Sequence, residues 1–74
     1  MKAILEFNLP DDESEFKDAV NGSNWKYAMW KVDQELRSRT KYAPDTMSDE
    51  ALNELKEIRD FLHQTLNERS LDLD

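Results

Sequence analysis

The apolar pattern along the chain breaks three times, and each break opens a new element. Residues 3 to 9 alternate, with Ala3, Leu5, Phe7 and Leu9 on one side and Ile4, Glu6 and Asn8 on the other. Period-two alternation predicts a strand over 2–9, ended by Pro10, which has no amide proton for a ladder. From residue 11 the period lengthens. Phe16, Ala19 and Val20 fall on one helical face, with Asp11 or Asp12 as cap and Glu13 and Glu15 in the first turn. That pattern predicts a helix over 11–21. Asn21-Gly22 then reads as a terminator, with glycine taking the left-handed conformation.

A second helix is predicted over 24–41, with an apolar stripe of Trp25, Ala28, Met29, Val32 and Leu36. Pro44 biases the residue before it away from helix. Ser48 suits an N-cap, followed by Asp49 and Glu50, with Met47 and Leu52 placed as a hydrophobic staple. The third helix is predicted over 48–69. Its stripe is Ala51, Leu55, Ile58, Leu62 and Leu66, with Leu52 and Phe61 at the shoulders. The tail, 70–74, reads as flexible.

The expected fold is therefore mainly α with one N-terminal β-strand, in the order β-α-α-α, within a single small domain over 1–74. The short connection makes the last two helices an antiparallel hairpin. No second strand is present to pair with the first. The cheapest partner is the same strand of a second copy, antiparallel about a twofold axis, so that Ala3, Ile4, Leu5, Glu6, Phe7, Asn8 and Leu9 form a self-association strand of a homodimer. A strand of a different protein, added at the edge, is the alternative.

Composition narrows the chemistry. The chain has 74 residues, no cysteine, one histidine and one glycine. Without cysteine there is no disulfide, thiolate metal site or thiol nucleophile. One glycine leaves no backbone cradle for phosphate. The acidic residues of helix three form a run along a surface, not a shielded pair with separated proton affinities. His63 lies beside Arg59, off the apolar stripe. These observations exclude the usual enzyme signatures and imply no cofactor and no metal. No apolar run approaches the ~20 residues of a membrane span, and the N-terminus has no signal-peptide apolar core. A cytoplasmic protein without a membrane is expected.

Charge is unevenly spread. The net charge is −7, yet residues 24–43 hold five basic residues against two acidic ones. Within that basic stretch, "WKYAMWK" places Tyr27 and Trp30 away from the apolar stripe, beside Lys31, Gln34 and Arg37. Large aromatics on the outer side of a helix are typical interface anchors. These five residues are the candidate partner-binding set. Two other functions fit less well: a nucleic-acid accessory protein using the basic aromatic helix, and a structural oligomer or scaffold component. The acidic total argues against a polyanionic partner. The acidic third helix also allows imitation of a nucleic acid.

The segments "LEFNLP", "AVNGS", Asp33-Gln34 followed by Leu36-Arg37, and "KYAPD" together resemble a group of short proteins encoded in tailed-phage genomes. The likeness covers residues 3 to 48; helix three matches in pattern only. Members of that group often carry an aromatic residue where this chain has Glu35. The resemblance carries over no catalytic residue. It implies a bacteriophage context, in the host bacterial cytoplasm. There a small non-enzymatic protein binds a host protein to redirect it, or to inhibit a host enzyme or defence as anti-CRISPR proteins do.

Overall fold

A computed structural model describes all of residues 1–74. Three helices run in order: α1 (Glu13–Val20), α2 (Gly22–Lys41) and α3 (Asp49–Glu68). No residue is in a strand, so the fold is all-α and the expected β-α-α-α order is corrected. The reason is a missing ladder. A strand is defined by its partner's amides and carbonyls, and this chain offers residues 3–9 none. Strand pairing between protomers falls with it. Phe7 alone anchors the segment, edge-on to Phe16 with ring centroids 5.7 Å apart. Ile4 and Leu5 stay open to solvent.

A tight turn joins this segment to α1. The Asp12 amide donates to the Asn8 carbonyl at 2.7 Å, and the Asn8 amide donates back to the Asp12 carboxylate at 3.0 Å. Asp12 thus spends its side chain backwards and does not cap α1. Between α1 and α2 only Asn21 leaves the helix. Its amide and its side-chain Nδ2 both donate to the Lys17 carbonyl at 3.0 Å. Gly22 has a negative φ and opens α2, so the break does not use glycine's left-handed freedom. α1 touches α2 and not α3.

α2 and α3 form the antiparallel hairpin. Ser48 caps α3 as its sequence suggests, its Oγ accepting from the Ala51 amide at 3.1 Å. The seam runs through half-buried Met29, Leu36 and Thr40 on α2, and Leu52, Leu55, Arg59, Leu62 and Leu66 on α3, with half-buried Gln34 just beside it. The spacing on α3 is three-four-three-four, the repeat of a two-helix coiled seam. Asp33 completes the same repeat on α2 and is the one buried residue of the chain, 6% exposed. The seam is narrower than the expected stripes. Trp25, Val32, Ile58 and Phe61 remain exposed, because two helices cover only one side of each other.

The result is elongated. The Cα radius of gyration is 17.4 Å, against about 11 Å for a compact domain of this length. No helix is long and apolar enough to cross a membrane.

α3 ends in a Schellman motif. The Leu71 amide donates to the Leu66 carbonyl at 2.9 Å and the Ser70 amide to the Asn67 carbonyl at 3.0 Å. Ser70 sits at φ 55°, where a side chain crowds the backbone and glycine does not. Ser70→Gly should therefore stabilise the chain by about 0.5–1 kcal/mol, offset in part by glycine's greater unfolded freedom. Urea unfolding checks this; a lower midpoint would contradict the cap.

Candidate functional site

The centre of the hairpin is ionic. Asp33 Oδ1 accepts from Arg59 Nε at 2.9 Å and from His63 Nε2 at 2.6 Å, while Oδ2 meets Arg59 Nη2 at 3.5 Å. Arg59 and His63 are four apart, so both reach from one face of α3 to the same oxygen. Hydrogen bonding from Arg59 holds the Asp33 carboxyl below the usual carboxylate range, against the opposing effect of burial, and His63 adds to the lowering. In turn the Asp33 hydrogen bond raises Arg59 above the ordinary guanidinium value. An ionised carboxylate only accepts, which places the His63 ring proton on Nε2.

This cluster floors a cleft of about 350 Å³ along one flank of the hairpin, bordered by Gln34, Arg37 and the returning tail. The tail, 71–74, turns back toward the start of α2, where Lys26 Nζ donates to the Asp74 backbone oxygen at 3.0 Å. Leu73 is half-buried there. It borders both this cleft and a neighbouring hollow of about 380 Å³ formed with Ser23, Lys26, Tyr27 and Trp30.

The five expected partner-binding residues thus share one side. Tyr27 and Trp30 stack with centroids 6.1 Å apart and planes 23° off parallel. Lys31 Nζ lies 5.9 Å from the Tyr27 ring centre, within cation–π range. Gln34 and Arg37 border the adjoining cleft. Tyr27, Trp30, Gln34 and Arg37 line the two hollows that meet at Leu73, while Lys31, above the Tyr27 ring, borders a third with Val32 and Leu36. Residues 3–9 belong to none of the three.

Sequence reasoning missed the Asp33–Arg59 pair; His63 is exposed beside Arg59 as expected, but its contact with Asp33 was not foreseen. The available signal was the run Leu52, Leu55, Arg59, Leu62, Leu66. One charge interrupts that leucine repeat, and Asp33 interrupts the matching repeat on α2. No cluster of three or more metal-ligating side chains is present. No protein-family model matches the chain, and neither a curated protein nor a solved structure matches it.

Two predictions follow from the ionic centre. Arg59→Leu leaves the buried carboxylate with His63 as its only partner and should cost about 1–3 kcal/mol. Adding Asp33→Leu should restore much of that loss, because a leucine pair repays no desolvation. Urea unfolding of both variants decides it: a double variant less stable than Arg59→Leu would show the carboxylate to be favourable by itself. Acid supplies the second. The carboxyl is lowered in the folded state. Its contribution is therefore complete above the unfolded value near ~3.9 and is lost as pH falls through the lower folded value. The stability gap between the native chain and Asp33→Asn should be level above about pH 5 and narrow below about pH 4. A gap that widens on acidification would contradict the assignment.

Proposed function

We propose that the chain is a non-enzymatic, phage-type protein that acts by protein–protein binding. In this reading it occupies a surface of a host protein in the bacterial cytoplasm, with inhibition of a host enzyme or defence system as its consequence. The observation that carries the reading is the Tyr27–Trp30 stack, which stands exposed beside two hollows. Stacked aromatics lose little further freedom on binding and bring large contact area, the properties of interface hot spots. Lys26, Lys31 and Arg37 around them favour an acidic rim on the partner.

Self-association belongs to the same reading. The chain buries no apolar residue, and a second copy supplies the missing cover.

Affinity capture from host lysate, followed by titration with the purified partner, tests the host contact. Trp30→Ala should weaken the complex by about 30-fold or more, the loss of a hot-spot residue. Tyr27→Ala should act in the same direction. If both variants hold every captured protein as tightly as the native chain, the stack is not the anchor.

A further inference from the structure

The flank of the hairpin opposite the cleft has a different chemistry. Trp25 and Val32, seven residues apart on one face of α2, fall just before its seam, and Val32 directly precedes Asp33. Ala51 and Ile58 do the same on α3. In an antiparallel hairpin, positions that precede the seam on both helices lie on one flank. The positions that follow it, such as Gln34 and His63, line the cleft on the other. Phe61, one turn beyond Ile58, widens the first flank. Trp25 is 62% exposed, Val32 46%, Ile58 51% and Phe61 70%. Four large apolar side chains thus share a face that nothing in the chain covers.

We propose that this face is covered by a second copy of the same chain, two hairpins closing into a four-helix bundle. The proposal rests on the self-association part of the function above and names its surface. The area requires a cover of this size. The chain exposes 6760 Å², whereas a folded monomer of 8.8 kDa exposes about 4,800 Å². The excess is about 2,000 Å² per chain, and two such surfaces fall within the range of obligate dimer interfaces. Charge favours the same occupant. α2 carries five basic residues against two acidic, and α3 two basic against six acidic. A twofold axis that lays α2 of one copy along α3 of the other sets opposite signs together. Arg39, beside Val32, then approaches Glu54 of the second copy. An unrelated partner would have to reproduce both the area and the alternation of sign. The Tyr27–Trp30 side stays free in this arrangement, so one dimer presents two binding sides.

Light scattering on the purified full chain at about 100 µM should give the mass of two chains. Val32→Glu with Ile58→Glu should reduce it to the mass of one, with helical circular dichroism retained, because both side chains are already exposed in the single hairpin. Trp30→Ala should leave the mass at two. The chain has no cysteine, which permits a second test. Val32→Cys and Ile58→Cys chains, mixed and treated with a short bismaleimide, should cross-link to each other. A single-chain mass for the native protein overturns the proposal together with self-association. A two-chain mass that survives the double glutamate variant, without the mixed cross-link, overturns this face alone and leaves self-association standing. Neither outcome touches the Trp30 test of the host contact.

Discussion

The hairpin turns on one ion pair placed where a leucine would be expected. Asp33 and Arg59 meet across the seam at 2.9 Å, with His63 on the same oxygen. Burying a charge without a partner costs several kcal/mol. Each helix carries one such charge into its seam repeat, so sliding either helix by one turn sets a bare charge against an apolar side chain. The pair therefore acts chiefly on register: hydrophobic contacts along Leu52, Leu55, Leu62 and Leu66 would tolerate several alignments, and the two charges tolerate one. With Asp33 opposite Arg59, Thr40 falls toward Leu52, Leu36 toward Leu55 and Met29 toward Leu62.

That constraint also explains why the two flanks differ. On the side where the ion pair opens to solvent, polar residues and the returning tail line a cleft. On the other, Trp25, Val32, Ile58 and Phe61 stand exposed, with Glu35 and Arg39 at the edge beside Val32. A chain of two long helices and one short one cannot wrap both sides. α1 is attached through Asn21 alone and reaches α2 but not α3. Without a third layer, the large apolar side chains meant for a core remain at the surface.

Helix content, the Ser48 cap and the turn between the last two helices were legible because they rest on local chemistry. Ser48 needs only the amide three residues on, and Pro44 constrains only its neighbour. Residues 3–9 misled for the same reason. Alternation reports a preference for an extended, two-faced segment, and it is silent on whether a partner strand exists. The expected stripes hold at Met29 and Leu36 on α2 and at Leu55, Leu62 and Leu66 on α3, and fail at Trp25, Ala28, Val32, Ala51 and Ile58. Trp25, Val32 and Ile58 look like core by hydrophobicity, yet the seam runs through Asp33 and Arg59 beside them. Counting only apolar residues discards a charged position from a repeat. The three-four spacing would have kept it. The Tyr27 and Trp30 side was visible because those aromatics fell outside any stripe, whereas Leu73, far away in sequence, gave no sign of joining them.

Leu73 makes the aromatic hollow partly self-filled. A ligand arriving at Tyr27 and Trp30 meets an apolar side chain already seated at the edge. It must either build on that side chain or evict it together with the Lys26 contact to Asp74. Eviction subtracts the tail's own docking energy from the ligand's gain, so the observed affinity is scaled by the fraction of time the seat is empty. The last four residues therefore act as a resident competitor, and their length and sequence set the threshold that any incoming surface has to exceed.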